Sequence, residues 1–227
     1  MLRIKKIMAS EETVLLDFWA SPFAMRVRVA LAEKGVEYVC QPQNLVNKGS
    51  LLLEMNPIHK KVPVLIHNGK PICESLVILE YIDDVWAESS PLLPIDPYQR
   101  SQARFWADFI DKKIFVGAKE LRMAEGQEKE NKAKDFLENL KILQGVIGNE
   151  KFFGGDTFGY VDVALVPITS WYNVLETCGN FSIEVNCPKI MAWTGRCKER
   201  HSVSSSLPHP NKVYSFALEA KKAIGLK

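Results

Sequence analysis

The chain has 227 residues, 47% hydrophobic and 25% charged, with a formal net charge of +2. That length supports a sizeable core in one large domain or two small ones. The near-neutral charge gives no ground for nucleic acid or an acidic membrane surface as a partner, and no apolar run approaches the roughly 20 residues that span a bilayer.

The N-terminus, MLRIKKIMASEE, is basic and then apolar, but its apolar part falls short of the roughly 7–15 residues of a signal-peptide core. Residues 1–7 therefore read as a leader outside the core, with Met8 a second candidate start, and the chain is expected in the cytosol. The five cysteines, Cys40, Cys73, Cys178, Cys187 and Cys197, are odd in number and lack a CxxC pair. Free thiols are expected, and neither a zinc site nor a dithiol centre.

Residues 13–19, TVLLDFW, read as a short buried strand. A helix from Phe23 to Lys34 follows, with Val27, Ala30 and Leu31 on one face and Gly35 as the stop. A strand that feeds a helix through a short polar turn leaves backbone N–H groups free, which is a ready place for an anion. Ser21 stands at that turn, either as a simple helix cap or as a ligand of the anion. Glu37 to Gln43 reads as a second strand, and GSLLLEM (49–55) as one or two helical turns ended by Asn56-Pro57.

VPVLIHNGKPICES is the strongest local signal, two apolar runs flanking Asn68-Gly69, the favoured pair for a type I′ hairpin. Ser75 then opens a helix, LVILEYIDDVW, with Leu76, Leu79 and Ile82 at helical spacing. Pro63 precedes a strand that must pair, so a bend exposing the backbone of Val62 is expected there, with both isomers of the Val62-Pro63 bond open. The order β-α-β-α-β-β-α implies a mixed sheet.

The linker AESSPLLPIDPYQ marks a shift in composition. Beyond about residue 98 only helical periods remain: RSQARFWADFIDKKIF, EKENKAKDFLENLKILQGVI, YVDVALVPITSWYNVLE, PKIMAWTGRCKER and NKVYSFALEAKKAI. The expected organisation is an α/β domain over 11–90, a linker over 91–97 and an all-α domain over 98–227. GDTFGYVDVALVP carries a partial capping box, in which Asp162 caps back toward Gly159 and Phe158 staples against Val163. Glycine at the N-cap removes the reciprocal half at a cost of only about a few tenths of a kcal/mol relative to serine. Asp162 is thus a folding residue and not a catalytic acid.

The β-α-β-α-β-β-α order with Pro63 before the third strand resembles the thioredoxin-like fold. Together with the helical second half, the motifs SPFAMRVRVALAEKG, NPIHKKVPVLIHNGKPICES and DPYQRSQARFWADFIDKK resemble the cytosolic glutathione transferases, and more narrowly the plant tau class, from about residue 12 to 225. The resemblance implies a glutathione S-transferase that moves alkyl or aryl groups to glutathione, with glutathione as co-substrate and no metal. Ser21 would donate a hydrogen bond to the glutathione thiolate, the reactive form of the thiol. Glu74 and Ser75 would grip the γ-glutamyl end, the Val62 backbone would pair with the cysteinyl amide, and Lys48 and Lys61 would face the glycine carboxylate. Lys60 reads as a surface charge.

The second substrate implied is a small apolar electrophile, held between the domains by Phe23, Phe115, Trp171 and Phe216, with Lys119 and Arg122 near its edge. Many relatives have Tyr where Phe115 stands, so a polar handle is missing. Conjugation of xenobiotics and reduction of organic hydroperoxides both follow from an activated thiolate beside an apolar site. A non-catalytic carrier is the alternative, and a dehydroascorbate or thiol-disulfide reductase ranks lower because Ser21 stands where that chemistry needs cysteine. The resemblance also implies a homodimer and neither nucleic acid nor membrane as partner.

Overall fold

The computed structural model describes residues 12–89 and 91–223. The leader, residues 1–7, lies outside the described residues. The chain divides into two compact units between Pro91 and Leu92.

The first unit runs β1 (Val14–Asp17), α1 (Pro22–Glu33), β2 (Val39–Pro42), α2 (Ser50–Met55), β3 (Val64–His67), β4 (Lys70–Cys73) and α3 (Ser75–Val85). Its four strands form one sheet in the order β2-β1-β3-β4, parallel between β1 and β2 and antiparallel elsewhere. Strand alternation builds two apolar faces. Val14, Leu16, Val64 and Ile66 gather with Leu52 and Met55 of α2 on one side, while Leu15 and Leu65 are fully buried on the other. α1 packs on α3, and α3 on β3 and β4. The inward residues of α1 include the expected Val27, Ala30 and Leu31. On α3 they are Ile78, Leu79 and Ile82, whereas Leu76 is only half-buried, so its stripe is rotated from the expected one.

Local chemistry accounts for the breaks between elements. Gly35 has φ +66° just past α1, and the hairpin turn takes φ +50° at Asn68 and +72° at Gly69, the pair of positive values a type I′ turn requires. The bond before Pro63 is cis.

The second unit is helical. α4 (Pro97–Phe109) is capped by Asp96, whose Oδ1 accepts from the Gln99 N–H at 2.9 Å. It continues through a π-helical stretch, Ile110–Phe115, into α5 (Val116–Met123). α6 (Gly126–Ile147) turns Ala133, Phe136, Leu140, Leu143 and Ile147 inward at helical spacing. α7 (Tyr160–Leu165) and the 3₁₀ stretch Val166–Trp171 are buried throughout, and α8 (Tyr172–Gly179) follows. The segment YVDVALVPITSWYNVLE is therefore not the single helix its periodicity suggests. Pro167 has no N–H to return to the Val163 carbonyl and its ring crowds that position, so the helix tightens there. Two short helices carried too few residues to show a period, α9 (Ile183–Asn186) and α11 (His201–Ser206), which flank α10 (Pro188–Lys198). α12 (Pro210–Ala223) ends the described chain.

Asp162 is fully buried and ties three segments of this unit together. Its Oδ2 accepts from the Gly159 N–H at 3.0 Å, and its Oδ1 from the Phe153 N–H at 3.1 Å and the Trp193 Nε1–H at 2.7 Å. Burial pushes the carboxyl up to about 6, although those hydrogen bonds pull the other way. Gly159 returns nothing, having no side chain, and there is a reason for it. A Cβ at that position would stand 2.9 Å from the Leu92 carbonyl oxygen, which already accepts from the Tyr160 N–H at 2.8 Å. Phe158 is buried with its ring edge-on to Phe152 at 5.5 Å and beneath the Arg200 guanidinium at 4.9 Å.

Candidate active site

Sheet topology gathers the candidate glutathione residues at one edge. In the β1–β3 pair Leu16 stands opposite Val64, so the end of β1 lies beside the start of β3; in the β3–β4 pair Val64 stands opposite Cys73, so the end of β4 lies there too. Ser21 follows β1, Val62 precedes β3, and Glu74-Ser75 follows β4. Two helices, α1 and α3, begin at the same edge and point their unsatisfied N–H groups toward it. β2 ends at this edge as well, because Pro42 pairs with Asp17. The exposed loop after it carries Lys48 and folds on Asn44, whose Oδ1 accepts from the N–H groups of Val46 and Asn47.

Ser21 is buried at 9% exposure and is the N-cap of α1, its Oγ accepting from the Ala24 N–H at 3.3 Å. A hydroxyl has two lone pairs and one proton. Capping uses a lone pair, and no acceptor among the described residues takes the proton.

Ser75 is buried, and its Oγ accepts from Arg26 Nη1 at 3.0 Å. Arg26 is fully buried, with its guanidinium 5.2 Å from the Phe23 ring centroid. Sequence reasoning missed this residue. The signal was present, since an arginine within the buried run of FAMRVRVAL has to find polar partners. Glu74 takes φ +70°, a left-handed value rare for a residue with a side chain, and that twist turns its carboxylate outward to 60% exposure. His59 Nε2 lies 3.8 Å from it.

Asn56, expected only to end a helix, is buried and shapes the turn that presents Val62. Its Nδ2 donates to the Lys61 carbonyl at 3.0 Å and its Oδ1 accepts from the His59 N–H at 3.1 Å. Lys61 and Lys60 are exposed. At the root of the site Arg28 Nη1 donates to Asp17 Oδ2 at 2.6 Å.

Of the aromatics expected to line the electrophile site, Phe23 lies in the first unit at 36% exposure. Phe115, Trp171 and Phe216 lie in the helical unit. Phe115 closes the π-helical stretch and is buried, Trp171 ends the 3₁₀ stretch and is buried, and Phe216 is half-buried on α12, which packs against the 3₁₀ stretch. Trp171 Nε1 is buried with no hydrogen-bond partner among the described residues, and the Arg122 guanidinium lies 4.5 Å from its ring centroid. Lys119 is exposed.

Comparisons with known proteins point to one family. Residues 11–84 match the family model described as the N-terminal domain of glutathione S-transferase, and residues 105–201 the model of its C-terminal domain. "Probable glutathione S-transferase parA" of Nicotiana tabacum is 58% identical, covering 96% of this chain and all of the relative. "Glutathione S-transferase U25" of Arabidopsis thaliana is 53% identical over 96% of this chain and 99% of its own length. Among solved structures, a rice glutathione S-transferase in complex with glutathione aligns with a TM-score of 0.92 at 44% identity, covering 96% of this chain and 100% of the other. A tau class enzyme from mango aligns at 0.87 and 37% identity, covering 92% and 98%.

The chain belongs to the glutathione S-transferase family, built as a thioredoxin-like unit followed by a helical one. Within that family its likeness is to the plant tau class. Among the described residues no helix is long and apolar enough to cross a membrane.

Proposed function

We propose that this transferase activates glutathione through Ser21 and delivers the thiolate to apolar electrophiles. The observation that carries the reading is the state of the Ser21 hydroxyl, whose oxygen is engaged in capping while its proton remains available at the N-terminus of a 12-residue helix. A free thiol has a pKa near 8.5 and is only about 3% ionised at pH 7. Lowering it by two units needs about 2.7 kcal/mol of preferential thiolate stabilisation. One charge-assisted hydrogen bond, worth about 1.5–3 kcal/mol, with about 0.3–1 kcal/mol from the helix terminus, covers that amount. Ser21 itself need not ionise.

The strand-end geometry supports the reading for the rest of the grip. The Ser75 hydroxyl, with its oxygen occupied by Arg26, offers its proton to the γ-glutamyl carboxylate, and the buried guanidinium behind it adds positive charge. Outward-turned Glu74 suits the ammonium group. The Val62 backbone pairs with the cysteinyl amide, and Lys48 and Lys61 face the glycine carboxylate. Phe23, Phe115, Trp171 and Phe216 hold the apolar partner. The thiolate sulfur bonds to the electrophilic carbon, and the leaving group departs with the bonding pair. With an organic hydroperoxide the sulfur bonds to the terminal oxygen and the O–O bond breaks. The alcohol leaves, and a second glutathione completes the disulfide and releases water. A homodimer in the cytosol is the form we infer.

A steady-state panel of electrophiles and hydroperoxides with purified protein tests the reading. Trp171→Ala and Phe216→Ala should each raise KM for the electrophile severalfold and leave that for glutathione nearly unchanged. If no electrophile turns over at saturating glutathione, the reading fails.

A further inference from the structure

One ion pair of the first unit has no part in that scheme. The Lys34 side chain is fully buried just past the C-terminus of α1, and its Nζ lies 2.7 Å from Oδ1 of Asp83, itself nearly buried in the last turn of α3. Burying such a pair takes two charges out of water, and apolar residues of similar volume are often as stable or more so. Asp83 also stands at the wrong end of its helix, since an anion in the last turn opposes the macrodipole. Stability does not explain the pair; its place between two helices does.

α1 and α3 start at the same edge of the sheet and pack on one another, and polar groups tie them twice. Arg26 Nη1 donates to Ser75 Oγ at 3.0 Å near the start, and Lys34 meets Asp83 at the other end. The second tie falls eight residues past the first on both helices, about 12 Å along each axis. Between the ties each helix buries apolar side chains, Val27, Ala30 and Leu31 on α1 and Ile78, Leu79 and Ile82 on α3. Apolar burial is non-directional, so it permits small slides and rolls at little cost. An ion pair at 2.7 Å does not.

That register sets the spacing of two hydroxyls. Ser21 caps α1 and Ser75 is the first residue of α3, so a slide of one helix along the other moves one hydroxyl against the other. We propose that Lys34 and Asp83 are positioning residues for glutathione: their ion pair fixes the axial register of α1 against α3, and with it the spacing of the Ser21 and Ser75 hydroxyls. The proposal rests on the reading that these hydroxyls serve the thiolate and the γ-glutamyl carboxylate. A displacement of about 1 Å in such a constellation can cost about a hundredfold in rate.

The test replaces the pair in the full chain in two ways. Lys34→Met/Asp83→Val is apolar and of similar volume, whereas Lys34→Gln/Asp83→Gln keeps a hydrogen-bonding pair of the same combined reach. The apolar variant should hold Tm within a few degrees of wild type. It should raise KM for glutathione by about threefold or more and leave KM for the electrophile within about twofold. The acid limb of kcat/KM should move to higher pH by about half a unit, and that movement should vanish in a Ser21→Ala background. The amide pair should recover most of the glutathione KM. A much lower Tm in the apolar variant makes the pair a stability element and overturns the proposal. So do unchanged glutathione constants at an unchanged Tm, and so does an amide pair no better than the apolar one. A pH profile that Ser21→Ala alone leaves in place marks the failure of the thiolate reading instead, and the register proposal falls with it.

Discussion

Replacing Ser21 with alanine removes a helix cap and, on the mechanism proposed above, a proton donor to the thiolate, and the two differ in size and in readout. The first is the cap. Its hydrogen bond to the Ala24 N–H is 3.3 Å long, beyond the usual 2.9–3.0 Å, so the loss belongs at the low end of the range for N-caps, about 0.5–1 kcal/mol. In a chain of this size that lowers Tm by only about 1–4 °C. The second is the proton offered to the thiolate. Its removal should raise the pKa of bound glutathione by about one to two units, or about 1.4–2.7 kcal/mol. Conjugation at neutral pH should fall about ten- to a hundredfold, and the deficit should shrink as pH rises toward the new pKa. On the proposed assignment Val62, Glu74, Ser75 and the lysines hold the peptide, so glutathione affinity should survive. The assay is kcat/KM against pH for wild type and variant, with Tm measured in parallel. A cap alone moves Tm and leaves the pH profile in place. An unchanged profile in Ser21→Ala would therefore refute the thiolate role and leave Ser21 as a cap.

Gly159→Ser completes the capping box on paper, but its Cβ would meet the Leu92 carbonyl oxygen at 2.9 Å; we expect calorimetry to show a lower Tm, and a higher one would mean that the Leu92 backbone yields. Asp162 is pushed from its ordinary 3.8 up to about 6 by burial, so its linked stability is full below about pH 4 and is lost as pH rises through 6, on the order of 3 kcal/mol in all. The Tm advantage of wild type over Asp162→Asn should accordingly shrink between about pH 4.5 and pH 7.5, and a widening gap would contradict the shift. Arg26→Met takes the donor from Ser75 and should raise KM for glutathione by about tenfold while KM for the electrophile holds; equal changes in both constants would make Arg26 a folding residue only.

The first unit is legible in the sequence because its signals are local. Asn68-Gly69, Gly35, Pro63 and the strand alternation each act within a few residues, and together they predict the βαβαββα order that the structure has. What escapes local reading is fixed by partners far along the chain. Arg26 finds a hydroxyl partner in Ser75, 49 residues away, and the glycine at 159 makes sense only with Leu92. Asn56 looks like a helix stop until its side chain is seen closing the turn before Val62. In the helical unit Pro167 was visible, but a buried apolar run on both sides hid how sharply it tightens the chain. The aromatics of the expected electrophile site read as core or as lining with equal ease, because burial alone does not separate the two.

The order of the sheet leaves β2 and β4 as its edges, and both contain a proline. In β2 the N–H groups of Val39 and Gln43 point inward to β1, so the alternating residue Pro42 would have pointed its own outward. In β4 the two-residue turn makes His67 and Lys70 the hydrogen-bonded pair, and Pro71 opposite Ile66 again falls on the outward side. Each edge thus lacks a donor where another sheet would dock, a device against edge-to-edge aggregation. Growth of the sheet is discouraged on both flanks. A concentrated stock of Pro71→Thr should therefore lose solubility well before it loses its fold.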